Sequence, residues 1–304
     1  MTSIDFPSLM TTVFVLVDDW YRQSVSPTQV KRPGPPVQFS DSEVLTLALL
    51  MDYLPFPGET QFLGFIRANY GDWFPHLLDQ SQFNRRLRRL SDTLEDLRRS
   101  WVLQLSDPQE SYFLIDTKPL PVIGLKRDKR YSDFAGNAAP GYCASRQLYY
   151  FGYKLVMLSR WDGLPIAYDV VPANTDERVA VEGVLESVSG ATIYGDKGFI
   201  GEDWQIEVQS RTGNQIWTVK RTNQHHQHSE TLNRFITRVR QRIEGVFHEI
   251  QNTGRNPERL LNKTIEGFCT HIAAKLASHT LRRLLKLRFN LDVLTFQRTS
   301  VPTA

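Results

Sequence analysis

The sequence predicts an α/β (α+β) protein: a mixed five-stranded sheet flanked by helices and preceded by an all-α region. Three observations carry this. Residues 1 to about 105 show apolar residues at helical spacing with helix-start signals. After the polar, Pro-containing joint "SDPQES" (Ser106–Ser111), short aromatic and β-branched runs bounded by turn residues take over. From Asp176 onward such runs alternate with helical patterns, which calls for parallel pairing.

In the first region, "FSDSEVLTLALL" opens with Ser40 or Asp41 as a cap and Glu43 in the first turn. "GETQFLGFIRANYGDWFPHLL" gives a second helix with a Gly/Asp break after Tyr70. "SQFNRRLRRLSDTLEDLRRSWVLQL" gives a third, again opened by Ser. Short helices ending in a basic one fit a DNA-binding helix-turn-helix and a plain bundle equally.

In the second region, "YFLID" reads as a strand ending at Asp116, "FGYKLVML" as a second, and "GLPIAYDVVPA" as a third. The last two join as a hairpin through Trp161-Asp162-Gly163. "DERVAVEGVLESV" is helical, "ATIYGD" a fourth strand ending at Asp196, "EDWQIEVQS" a helix and "QIWTVK" a fifth strand. A long helix starts near Ser229. The expected boundaries are a helical region at 1–105, a catalytic domain at 110–290 and a tail at 291–304. The order β-β-β-α-β-α-β-α resembles an RNase H-like core.

The chain has 304 residues, 41% of them hydrophobic and 23% charged, enough for a proper core. Its net charge of +3 says little about partners, but the bases are clustered. Asn84–Trp101 holds six arginines against three acids, and Arg234–Arg242 holds four arginines and no acid. "LKRDKR" (Leu125–Arg130) and "KLASHTLRRLLKLRF" (Lys275–Phe289) add four and five bases. Such clusters suit a wrapped polyanion, or simply solvated helix faces. Two isolated cysteines exclude a disulfide framework or a Cys-based zinc site. "TTVFVLVDDWY" is too short and too acidic at its end for a leader, and no run is long enough to span a bilayer. A cytoplasmic, nucleoid-associated protein is expected.

Aspartates at the carboxyl ends of strands one and four would point into one space if those strands are neighbours. Two close like charges need solvent or a cation between them. In "TLNRFITRVRQRIEGVFHEI", Leu232, Phe235, Ile236, Val239, Ile243, Val246, Phe247 and Ile250 form a helical stripe. Glu244 borders that stripe, with Arg240 one turn earlier; Glu249 is a second candidate with less support from its neighbours. Three oxygen ligands without His or Cys suit Mg2+ or Mn2+, and two such ions can clamp both reacting oxygens of a phosphodiester. Taken singly, Asp116 could be a strand cap, Asp196 a turn residue and Glu244 a surface acid paired with Arg240.

At these residues the chain resembles the DDE transposases of bacterial insertion sequences, and most closely the insertion sequence 982 family. "YFLIDTKPLPV" resembles the segment of the first catalytic Asp, "YGDKGFIG" that of the second, and "RVRQRIEGVFHEI" the helix of the catalytic Glu. "FSDSEVLTLALL", "SQFNRRLRRL" and the long middle segment "GYCASRQLYYFGYKLVMLSRWDGLPIAYDVVPANTDE" are also similar. The resemblance implies that Asp116, Asp196 and Glu244 are catalytic and hold two metal ions. It implies cleavage at transposon ends by activated water, then attack of the freed 3′-hydroxyl on target DNA, with two copies of the protein pairing two ends. The spacings of 80 and 48 residues leave no room for a large insertion before Glu244. Relatives often carry Tyr-x-x-Arg-x-x-x-Glu-x-x-x-x-x-x-Lys on this helix. Arg240 and Glu244 match it; Thr237 and Gln251 stand at the Tyr and Lys positions.

The expected DNA-binding residues are Arg240, Lys126, Arg127, Arg130, Lys197, Arg85, Arg86, Arg88 and Arg89. "NQHHQHSE" (Asn223–Glu230) reads as a polar loop, and Trp161 and Trp204 as packing or base-stacking residues. The alternatives are an RNase H-like nuclease that cuts without joining strands and an inactive DNA-binding relative. A glycosidase, which also uses paired carboxylates, is disfavoured by the basic segments.

Overall fold

The structure, a computed structural model, describes residues 2–28, 37–107, 109–123, 133–143, 147–219, 228–258 and 262–296. Its contacts divide the chain into two units. One comprises Met1–Leu105, Ile250–Asn262 and Glu266–Ala304; the other comprises Ser106–Glu249 and Lys263–Ile265.

The first unit begins with strand β1 (Thr2–Ile4) and helices α1 (Phe6–Ser24), α2 (Asp41–Leu50), α3 (Glu59–Tyr70), α4 (Gln80–Arg89) and α5 (Ser91–Leu105). Ser40 and Glu43 form a reciprocal capping box at α2, as the sequence signal requires. The expected third helix is two: α4, capped by Asp79 rather than by a serine, and α5. The break falls at Leu90, before Ser91-Asp92, residues that favour a fresh helix start over continuation.

α10 (Ile265–Phe289) and β8 (Leu291–Phe296) complete this unit, β8 pairing parallel with β1. The sequence-based boundary groups residues up to 290 with the sheet. Instead, Ala273, Ala274, Ala277, Leu281, Leu284 and Leu285 of α10 enter the core built by α1–α5. From Phe268 to Leu285 the helix is buried on nearly all sides, polar residues included. That burial also removes part of the basic segment 275–289 from solvent: Lys275 and Arg283 are buried.

Lys275 is held by a charge cluster. The carboxylate of Asp52, 2% exposed, accepts from the Arg255 guanidinium at 3.2 Å and from Lys275 Nζ at 3.5 Å. Arg255 also donates to the Ala48 carbonyl at 3.0 Å, and its backbone N–H donates to Asp52 at 3.1 Å. Lys275 donates to the Thr253 carbonyl. Gly254 (φ +49°) brings its backbone onto Asp52, where an added Cβ would lie 2.3 Å from the Asp52 Cα. Burial pushes the Asp52 carboxyl up, but Arg255 and Lys275 outweigh it and hold it below the ordinary value.

The second unit carries the sheet. Its strands are β2 (Tyr112–Ile123), β3 (Ala139–Cys143), β4 (Leu148–Arg160), β5 (Pro165–Pro172), β6 (Thr192–Gly195) and β7 (Gln215–Thr218). Helices α6 (Glu177–Ala180), α7 (Glu182–Leu185), α8 (Glu202–Thr212) and α9 (Glu230–Asn252) intervene or follow. Leaving β3 aside, the order is β5-β4-β2-β6-β7, the first three antiparallel and the last three parallel. The five expected strands are all present. β3 is additional and continues along β4 the edge that β5 occupies further on. The expected helix after Asp176 is two short ones. The turn at Gly163 (φ +90°) closes the β4–β5 hairpin through Arg160 and Leu164.

Alternation along the strands sorts their residues into two faces. Phe113, Ile115, Val156, Leu158 and Ile193 pack with Ala180, Val184, Leu185 and Val208 of α6–α8. Leu114, Asp116, Lys118, Tyr194 and Asp196 belong to the other face.

Replacing Asp52 by Asn leaves two buried cations without their counter-ion. Denaturant unfolding at neutral pH is expected to show a loss of about 3–5 kcal/mol. Because the folded value of Asp52 is depressed, its contribution is present above about pH 4 and lost as pH falls through the folded value. The gap between wild type and variant is therefore expected to close only in that acid range.

Candidate active site

β2 and β6 pair parallel, with Phe113 opposite Ile193 and Leu114 opposite Tyr194. The pairing ends there, two residues before Asp116 and Asp196. By strand alternation Asp116 shares the face of Leu114. β6 ends at Gly195, so Asp196 leaves the sheet as expected. Asp116 does not end its strand. β2 runs on to Ile123 because β4 pairs with it throughout, Asp116 lying opposite Met157. Only the β6 side of the ladder stops there, which opens the edge beside Asp116 to the second carboxylate.

Each aspartate is half-buried and turned by its own chain. Asp116 Oδ1 accepts from the Thr117 N–H at 2.7 Å, and Asp196 Oδ1 accepts from the Lys197 N–H. Gly195 is fixed by packing: a Cβ there would lie 2.7 Å from the Phe199 ring and 3.0 Å from Ile115 Cγ2. Gly198 has the Glu177 carboxylate against it, where a Cβ would overlap Oε2. Glu177 Oε1 also accepts from Thr117 Oγ1 at 3.4 Å. A third acid thus lies at the turn carrying Asp196, behind the face that holds the two aspartates.

α9 crosses the aspartate face. Near its start Phe235 meets the Tyr194 ring edge-on, with centroids 5.5 Å apart. Three turns later the Phe247 ring lies 5.8 Å from Lys118 Nζ. Tyr194 is two residues before Asp196, and Lys118 two residues after Asp116. The aspartates therefore fall between the two points where the helix touches the sheet. Ile236, Val239, Ile243, Val246 and Phe247 are buried, confirming the apolar stripe. Glu244, exposed, lies one turn before Phe247 within that interval.

Glu249 is on the opposite flank of the stripe and is engaged there by Arg242 at 3.5 Å. Arg242 also donates to the Trp161 carbonyl at 2.8 Å and the Asp162 carbonyl at 2.9 Å. It thereby ties α9 to the β4–β5 turn and sets the rotation that places Glu244. Sequence reasoning missed Arg242, although its spacing of seven from Glu249 marks one helix flank. It missed Lys118 as well, a cation 6% exposed on the aspartate face.

Among the described residues, no three acidic, His or Cys side chains are grouped closely enough to hold an ion. Asp116 lies on β2, Asp196 follows β6, and Glu244 is on α9. Two carboxylates completed by water and substrate phosphate suit Mg2+, which rarely takes an all-protein cage. The donor set is all oxygen and fits Mg2+ or Mn2+.

The expected DNA-binding residues divide. Lys126, Arg127 and Arg130 lie outside the described residues, as do His225, His226 and the side chain of Arg240. Lys197 is exposed beside Asp196. Arg85 and Arg89 are exposed on α4, and Arg88 Nε is buried with no hydrogen-bond partner among the described residues. Arg86 is engaged internally, bridging Asp41 at 2.6 Å and the Phe39 carbonyl. His228 stacks on Trp217, Trp204 packs against the sheet core, and Trp161 is 52% exposed. Among the described residues no helix is long and apolar enough to cross a membrane.

Residues 107–256, which span the sheet and α9, match the protein family described as "Transposase DDE domain". No curated protein matches the sequence. Two solved structures are similar in part. A piggyBac transposase synaptic complex with hairpin DNA aligns at 11% identity and a TM-score of 0.45, covering 96% of this chain and 77% of that one. A Mos1 transposase paired-end complex with left transposon end aligns at 14% identity and a TM-score of 0.22, covering 76% and 86%.

Replacing Arg242 by Ala removes both carbonyl contacts. A loss of about 1–2 kcal/mol in thermal or denaturant unfolding is expected, with little change on Arg242→Lys if charge alone mattered and a similar loss if the fork geometry does.

Proposed function

We propose that the transposase DDE domain of this chain cleaves phosphodiesters at transposon ends and joins the freed 3′ ends to target DNA. The observation that supports this is the parallel pairing of β2 with β6 just before Asp116 and Asp196, with α9 packed against Tyr194 and Lys118 on either side of them in sequence. In this reading Asp116, Asp196 and Glu244 hold two divalent ions, Mg2+ or Mn2+. When bound, these supply an activated water and neutralise charge on the phosphate.

The other roles follow from position. Lys118 adds positive charge on the aspartate face, where a phosphate would lie. Lys197, and Arg240 by its sequence position, serve the DNA strand leaving the site. Lys126, Arg127 and Arg130 extend that grip in the segment after β2. Arg85, Arg88 and Arg89 give α4 a phosphate-binding edge, in keeping with a DNA-binding helical region. Arg86 serves that edge indirectly, by bracing α4 against Asp41. Two copies bring two DNA ends together, and the protein works at the nucleoid in the cytoplasm. Placement in the insertion sequence 982 family rests on the motif segments around the three acids.

The test uses pre-cleaved and uncleaved DNA ends taken from the sequences flanking the coding region, with Mg2+ or Mn2+. Wild type is expected to cut and join. Asp116→Asn, Asp196→Asn and Glu244→Gln are each expected to fall to background, while Glu249→Gln retains activity. Cutting without joining would replace transposition by a nuclease function. Full activity in Asp116→Asn would overturn the site.

A further inference from the structure

The helical unit contains a polar cavity of about 270 Å³ that the sheet site does not use. Its walls include Glu59 and Gln61 in the first turn of α3, Gln80 and Asn84 of α4, Arg255, and His271 of α10. At ~30 Å³ per water it has room for about nine waters, or one planar heterocycle.

The lining is ordered by its own hydrogen bonds. Gln80 Nε2 donates to the Glu59 carboxylate at 2.8 Å, and Asn84 Nδ2 donates to it at 2.9 and 3.1 Å. Both amide nitrogens are thereby turned towards Glu59, which leaves the amide oxygens directed elsewhere as acceptors. Gly58, the N-cap of α3, provides no side-chain cap, so the first-turn N–H groups at Glu59, Thr60 and Gln61 have no capping side chain. The residues lining the cavity thus carry both donors and acceptors. His271 Nε2 is shielded from solvent and has no hydrogen-bond partner among the described residues.

The charge balance rejects an anion. Asp52 offsets one of its two partners, Arg255 and Lys275, and Glu59 offsets the other, so no net positive charge is left to hold an anion. Burial, with the nearby Arg255, holds His271 down to about 3, so the imidazole is neutral at pH 7. A neutral ligand with N–H donors and ring acceptors fits, and an inorganic or terminal phosphate does not. Arg88, whose Nε has no hydrogen-bond partner among the described residues, lies one turn beyond Asn84, with Arg85 and Arg89 exposed beside it.

We propose that this cavity receives one unpaired nucleobase whose Watson–Crick edge sets an amine beside a ring-nitrogen acceptor, adenine or cytosine, of the DNA the chain handles, while the α4 arginines hold the flanking phosphates. Amide side chains read the amine and ring nitrogen of adenine, and a carboxylate such as Glu59 accepts from the amine of cytosine. The proposal rests on the reading of the chain as DNA-processing, and the test separates the two.

Full-length protein is titrated with deoxyadenosine, deoxycytidine, thymidine and, separately, orthophosphate, by equilibrium dialysis. Deoxyadenosine or deoxycytidine is expected to bind at least about tenfold tighter than thymidine. Gln80→Met and Asn84→Leu are each expected to weaken it by about tenfold. Gln80 is exposed, so its variant remains informative if Asn84→Leu does not fold. Binding of no nucleoside, binding undiminished in the folded variants, or preferential binding of orthophosphate would overturn the proposal and leave the cleavage reading standing. DNA cleavage by Asp116→Asn, scored in the separate strand-cutting assay, would overturn that reading and leave the cavity standing.

Discussion

The parallel ladder between β2 and β6 sets the site. A parallel pair fixes which residues stand side by side, and here Leu114 lies opposite Tyr194, two residues before Asp116 and Asp196. The ladder is short: β6 has four residues and ends at Gly195, whose missing side chain leaves room for the Phe199 ring and Ile115. Packing on the opposite face, where Phe113, Ile115 and Ile193 meet α6–α8, holds the two strands in that register.

The third acid depends on a different constraint. α9 is positioned by its apolar stripe, by the Tyr194–Phe235 contact and by the fork of Arg242 on the β4–β5 turn. The stripe fixes which side of the helix faces the sheet, and the fork fixes its rotation. Glu244 and Glu249 lie on opposite flanks of that stripe, Glu249 against Arg242 and Glu244 exposed. The helical unit solves its own charge problem differently. There the Asp52 carboxylate and two cations are buried together, and Gly254 admits the backbone contact that closes the cluster.

Much of this was legible in the chain. The Ser40–Glu43 box, the Trp161-Asp162-Gly163 turn, the five strands and the α9 stripe each follow from local rules of capping, turn chemistry and periodicity. The misreadings also have local causes. β2 was expected to stop at Asp116 because a charged residue resembles a strand end, but antiparallel pairing with β4 carries it on past that residue. α4 and α5 look continuous until Ser91-Asp92 offers a new start. Arg86 and Lys275 belong to basic clusters in sequence, yet one braces Asp41 and the other Asp52.

By itself the sequence determined the element types, Asp196 at the end of its strand, and a helix with an acid at the rim of its apolar face. Each is a matter of neighbours within a few positions. Tertiary structure decided that β6 pairs parallel with β2, that Arg242 engages Glu249 and the β4–β5 turn, and that α10 joins the helical core. It also decided which arginines remain on the surface. Those outcomes depend on pairing and burial between segments far apart in the chain, and local periodicity carries no information about which distant surface an element will cover.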